Sequence, residues 1–205
     1  MVHHMVVQGS LGAGKTFLGT LLAHHWKQKT EARGGKIQLY SNFDLKDSII
    51  MSDYKKWYDV AQSRGSIIVW DEAHTAFSNR AWSNYGNGIA TDVLMYTRKM
   101  QSLQIYCTPS INNLDSRIRQ IVEILVTTRH IPNKGFSLHI VDYQTGEFLT
   151  KQFIPWSKAK RIFKLNLYDT QDMAYKFPLP NTPKQGDDFF KELKEIHDNA
   201  RKGLI

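Results

Sequence analysis

A short apolar run, Met5 to Gln8, gives way to a glycine-rich stretch and then to apolar positions at helical spacing from Thr16 to Lys27. The same alternation of strand-like and helix-like periods recurs downstream. A second strand is expected over about Lys36 to Ser41, after the turn at Gly34-Gly35. Residues 52–64 read as a short helix opened by Ser52 as its N-cap. "GSIIVWDEAH" (65–74) carries the continuous apolar run of a strand buried on both faces. Residues 89–101 read as a helix and "LQIYCTPS" (103–110) as a fourth strand, and 112–131 give a short amphipathic helix and another strand. Strands alternating with helices predict an α/β fold, with a central, mainly parallel sheet covered by helices.

From about residue 136 the pattern changes. "FSLHIVDYQTGEFLTKQFIP" (136–155) predicts a hairpin turning at Gln144-Thr145-Gly146, and "RIFKLNLYD" (161–169) a further strand. "KFPLPNTPKQGDD" (176–188) holds three of the six prolines and reads as a linker. Residues 187–203 form an amphipathic helix whose acidic start and basic end suit its dipole. The chain is therefore expected to divide into a core over 1–135 and a C-terminal β appendage and helix over 136–205.

The glycine-rich stretch changes the picture from fold to chemistry. Gly9-Ser10-Leu11-Gly12-Ala13-Gly14-Lys15-Thr16 fits G-x-x-x-x-G-K-[ST] at every fixed position, between a strand and a helix as the P-loop motif requires. Backbone N–H groups can wrap a triphosphate only where no Cβ intrudes, and the following helix points its free amides and positive dipole end at the phosphates. Lys15 is placed to reach the β- and γ-phosphates, and the Thr16 hydroxyl to bind Mg²⁺. The apolar run Ile67 to Trp70 followed by Asp71-Glu72 has the Walker B arrangement. Asp71 is expected in the Mg²⁺ shell and Glu72 to orient and polarise an attacking water. Thr108, ending the fourth strand, is either the γ-phosphate sensor or a strand-capping threonine. Arg98, Arg117, Arg119 and Arg80 are candidates for a transition-state arginine, each with a surface or packing role as the alternative.

Composition sets the surroundings. Hydrophobic content of 41% and charged content of 22% are those of a globular domain, and no apolar stretch reaches the roughly 18 residues of a membrane span. One cysteine, Cys107, and no signal-peptide organisation point to the cytoplasm. A net charge of +8 favours phosphate-rich partners, most simply nucleic acid. The basic run 156–164, with Lys158, Lys160, Arg161 and Lys164, suits phosphate contacts or a lysine-defended strand edge equally. Trp70, Phe77, Trp82 and Tyr85 cluster after Walker B, for packing, a subunit contact or a channel, and Gly86-Asn87-Gly88 reads as a loop. His3-His4 and His24-His25 lack metal-ligand spacing and read as packing or surface residues.

Taken together, Gly9 to Thr16, "LYSNFDL" (39–45), "VWDEAHTAFSNRAW" (69–82), "LDSRIRQ" (114–120) and "LYDTQDM" (167–173) resemble the zonula occludens toxin-like (Zot) ATPase domain of filamentous-phage assembly proteins. More broadly, the stretch from Thr97 to Val126 resembles the HerA–FtsK-type translocases. The resemblance implies a RecA-like core, ATP as substrate, a homo-oligomeric ring, and work on phage or viral DNA with structural or portal proteins as further partners. It also implies an arginine supplied from a neighbouring subunit, for which Arg98 matches. Pro109 and Ser110 stand where such translocases often carry a glutamine, and no membrane span like that of the filamentous-phage proteins appears. The sequence thus predicts an ATP-hydrolysing motor that moves double-stranded DNA in genome packaging. An assembly ATPase acting on protein partners and a small-molecule kinase are the rivals; no arginine-rich lid favours the kinase.

Overall fold

The computed structural model describes residues 2–77, 86–169, 173–174, 180 and 182–204, with backbone alone over 86–91. Arg80, Trp82 and Tyr85 lie outside the described residues, as do parts of the "LYDTQDM" and proline-rich stretches. Among the described residues eight strands form one sheet: β1 (His4–Gln8), β2 (Gln38–Ser41), β3 (Ile49–Ile50), β4 (Ser66–Trp70), β5 (Ser102–Thr108), β6 (Ile124–Ile131), β7 (Gly135–Asp142) and β8 (Phe148–Pro155). Their spatial order is β3-β2-β4-β5-β1-β6-β7-β8. Every pair from β3 to β6 is parallel, and β7 and β8 continue the sheet antiparallel.

Period-2 alternation sorts the strands' apolar residues onto two buried faces. Val6, Ile68, Trp70 and Tyr106 point one way; Met5, Val7, Ile67, Val69, Ile105 and Cys107 point the other. The second face is covered by α1 (Lys15–Glu31) and α6 (Trp156–Phe163). The first is covered by α2 (Lys56–Ser63), α3 (Ala73–Ala76), α4 (Gly86–Thr97), α5 (Ser116–Ile121) and α7 (Pro183–Lys202). Trp70, fully buried against Trp57 and Phe77, donates its indole N–H to Gln104 Oε1 at 2.8 Å, so its own donor is satisfied in the core.

The structure corrects several expectations. The stretch 161–169 is no strand: it is the end of α6, a turn through Lys164 and Leu165 to a left-handed Asn166, and a segment that bridges Leu45 at Tyr168. Trp156, Ala159, Ile162 and Phe163 recur at helical spacing and meet Phe17, Phe136 and the second core face. The basic run is therefore a helix face with Lys158, Lys160 and Arg161 exposed, and not a strand edge. Ser52 does not cap α2, which begins at Lys56, where the Asp53 carboxylate accepts from Lys55 N at 2.8 Å. Gly86 to Gly88 open α4 and do not form a loop. The last helix starts inside the expected linker, because Thr182 accepts from Gln185 N and Pro183 takes the first helical position, where its missing N–H costs nothing. The expected hairpin turn is present: Asp142 Oδ1 accepts from the N–H groups of Gln144 and Thr145.

Candidate nucleotide site

The parallel strand order brings the sequence's chemistry to one edge. β5 lies between β1 and β4, so the loop after β1, Thr108 at the end of β5 and Asp71 after β4 all emerge together. The loop over Gly9 to Gly14 is held by the protein's own groups. Ala13 N donates to Ser10 O at 3.1 Å, and the Thr128 hydroxyl donates to Ala13 O at 2.9 Å. Gly9 approaches β6 so closely that a Cβ would sit 2.5 Å from the Thr128 carbonyl oxygen. Gly14 has φ +85, and a Cβ there would stand 2.6 Å from the Phe136 ring. Both positions need glycine. Leu11 sits at the loop's exposed apex.

At the head of α1, Lys15 is buried and its Nζ donates to Ser10 O at 3.2 Å, folding the ammonium over the loop. The Thr16 hydroxyl lies 3.0 Å from both Asp71 carboxylate oxygens and donates to them. This contact joins residues 55 apart in sequence and closes the site. The three oxygens could coordinate a hard divalent cation, whose remaining ligands would come from phosphate and water. Burial pushes the Asp71 carboxyl above its ordinary range, opposed by the Thr16 hydrogen bond. A half-buried carboxylate is a setting that a bound cation relieves.

Glu72 takes the left-handed conformation, φ +46, which for a residue with a Cβ costs on the order of 1 kcal/mol. Its carboxylate is half-exposed, with Oε2 3.2 Å from His74 Nδ1. Thr108 is buried beside the loop's root, paired in register with Gln8, and its hydroxyl donates to Ser110 O at 3.2 Å.

The arginines separate. Arg98 follows α4 and precedes Ser102, the first residue of β5, so it lies by the N-terminal ends of the parallel strands. A seven-residue strand is roughly 20 Å long, which puts Arg98 out of reach of its own loop. Arg117 grips the buried Asp115 carboxylate through Nε at 2.9 Å and a terminal nitrogen at 3.1 Å, holding that carboxyl below its usual range. Arg119 is half-buried on the same short helix. His4 packs between Tyr106 and Thr97, and burial brings its pKa down to about 4.

Two site residues carried no role in the sequence reading. Asn42, fully buried after β2, donates Nδ2–H to Asp71 O at 3.0 Å and accepts Asp71 N–H at 2.7 Å, fixing the backbone from which both acids project. Gln8 donates to Thr127 Oγ1 at 3.1 Å and accepts from Ile111 N at 2.9 Å, tying the loop's root to the segment after β5. Asn42 lies within "LYSNFDL", but its partner stands 29 residues away and only the fold brings them together. Asn42→Ala leaves a buried N–H and C=O unpaired, and is expected to lower unfolding free energy by about 3 kcal/mol in urea titration. Its effect on nucleotide turnover should exceed its effect on nucleotide affinity, because the phosphate loop itself is untouched.

A family model described as Zonular occludens toxin (Zot) matches residues 22–152. That match begins past Thr16, so the phosphate loop is read independently of it. Among solved structures, the N-terminal domain of zonular occludens toxin from Neisseria meningitidis superposes with a TM-score of 0.55 at 15% identity, over 82% of this chain and all of that one. B204, the DNA-packaging ATPase from Sulfolobus turreted icosahedral virus, superposes with a TM-score of 0.53 at 13% identity, over 75% and 97%. At such identities the likeness shows the fold, a P-loop NTPase α/β core. No curated protein matches the chain.

Proposed function

The chain belongs to the zonular occludens toxin (Zot) family, and on that premise we propose that it is a viral or phage P-loop ATPase that couples ATP hydrolysis to DNA translocation in genome packaging. The Thr16–Asp71 contact carries the reading, because it unites the phosphate loop with the acid strand in one half-buried centre. Gly9 to Thr16 hold the phosphates, with Lys15 released from Ser10 O onto the β- and γ-phosphates. Mg²⁺ held by Thr16 and Asp71 would neutralise charge on the phosphate oxygens. Glu72 accepts the proton of the attacking water, aimed by its left-handed backbone. Thr108 flanks the terminal phosphate. Arg98, too far to act on its own site, serves the nucleotide of a neighbouring subunit in a ring.

The net charge of +8 and the fold shared with a DNA-packaging ATPase support DNA as partner. Among the described residues no helix is long and apolar enough to cross a membrane. A second reading, an assembly ATPase acting on protein partners, is favoured by the exposed apolar residues Phe148, Leu149 and Phe153 on the edge strand β8. Binding of fluorescent double-stranded DNA, titrated at ~50 and ~200 mM salt, separates the two. Tight binding that weakens by orders of magnitude at the higher salt is expected of a motor gripping the backbone. No binding at the lower salt selects the assembly reading.

A further inference from the structure

On the edge of the sheet opposite the phosphate loop lies a cavity of about 630 Å³ that no step of the hydrolysis uses. It sits where the parallel strands begin. Arg64 lines it two residues before β4, and Lys99 three residues before β5. The rest of its wall comes largely from α7, with Lys194 and Arg201. These four cations face a single carboxylate in the lining, Asp198. Among the described residues the side chains of Arg64, Lys194 and Arg201 make no ion pair, and the Lys99 ammonium lies 5.2 Å from the centre of the Tyr96 ring.

Helix ends account for part of this charge. α2, α4 and α7 all finish beside the cavity, and each end carries about half a negative charge. Three such ends and Asp198 still leave four cations in excess. The buried part of the lining is apolar, with Ala61, Met100 and Leu193. Tyr96 and Phe190 add two aromatic rings, their centroids 6.2 Å apart. Cations beside an apolar, aromatic interior suit an unpaired nucleotide, with phosphate on the charges and the base against the rings. The arginine fork matches phosphate oxygens two at a time. The volume falls within the roughly 300–1,000 Å³ of small-molecule sites. A duplex, whose bases are paired inside it, reaches the cations alone.

We infer that this cavity binds one unpaired nucleotide, its base against Tyr96 and Phe190 and its phosphate among the four cations. Such a nucleotide is either free or part of a single strand of nucleic acid. Binding here needs neither ATP at the phosphate loop nor a duplex, since the two sites stand on opposite edges of the sheet. α7, which supplies two of the four cations, lies outside the 22–152 that match the family model.

The test is fluorescence anisotropy on the full chain without ATP, using a labelled oligodeoxythymidylate of ~10 nucleotides. Lys194 and Arg201 are exposed on α7, so the double variant Lys194→Gln, Arg201→Gln should melt as wild type does. It should bind the probe at least about 10-fold more weakly, the lower end of one charge-assisted hydrogen bond. Its salt dependence should also flatten by about one phosphate contact or more. Should that variant melt lower, Lys99→Gln, in the turn before β5, makes the same comparison. Among unlabelled competitors, an abasic oligomer and a duplex of equal length should each compete at least about 5-fold less well than the oligodeoxythymidylate. Thymidine monophosphate that competes as well as the oligomer identifies the free nucleotide as ligand; much weaker competition identifies the strand. Variants that bind the probe as wild type does, or competitors without an unpaired base that displace it equally, overturn the inference. So does a wild-type chain that leaves the probe unbound, and none of these results bears on hydrolysis at the phosphate loop.

Discussion

Glu72→Gln binds ATP as the wild type does and hydrolyses it at least about 10²-fold more slowly, the low end of what a lost general base costs. The geometry explains why the effect should fall on turnover alone. The Glu72 side chain is half-exposed at the site's mouth, and its Oε2 lies 3.2 Å from His74 Nδ1, away from the phosphate loop's own hydrogen bonds. Gln has the same length and keeps the strained backbone, so the position survives while the proton acceptor is lost. The binding determinants, Lys15, Thr16 and the loop amides, sit on α1 and its N-terminal loop. Single-turnover hydrolysis alongside equilibrium binding separates the two quantities. An unchanged rate would remove Glu72 from the role.

Lys15→Ala should act on the opposite quantity. Its ammonium is buried and rests on the Ser10 carbonyl, a weak partner for a full charge, until phosphate oxygens replace it. A charge-assisted hydrogen bond contributes about 1.5–3 kcal/mol, so ATP affinity is expected to fall about 10- to 100-fold. Fold stability should change little, because the substitution removes a buried charge together with a single bond to a loop carbonyl. Calorimetric affinity and a melting curve on the same preparation check both halves. A variant that unfolds would make Lys15 a structural residue and not a phosphate ligand.

The parts of the fold legible in the sequence were those whose signal is local. The apolar run of β4, the octet from Gly9 to Thr16 and the Asp71-Glu72 pair each carry their meaning within a few residues, and the parallel sheet follows from their alternation. α6 was misread because "RIFKLNLYD" alternates like a strand, while the helical spacing of Trp156, Ala159 and Phe163 starts five residues earlier and is completed only against Phe17 and Phe136. The start of α7 was hidden by Pro183, a helix breaker everywhere except the first turn, where it sits. Asn42 and Gln8 were silent because a single polar residue has no pattern of its own. Each gains its role from a partner that another part of the chain supplies. Arg98 shows the converse. Its place in the sequence order matched a catalytic arginine, and the strand direction then puts it at the far edge from its own loop, so any such role passes between subunits.

In the proposed function the loop at Gly9 to Thr16 and the acids at Asp71 and Glu72 act as one hydrolytic centre. The most direct test is steady-state phosphate release from ATP by the purified wild-type chain, with Mg²⁺ or with a chelator, and with or without double-stranded DNA. Release that requires Mg²⁺ and rises with DNA is the result predicted. No release above background under any of these conditions, from a chain that is folded and binds ATP, would contradict it.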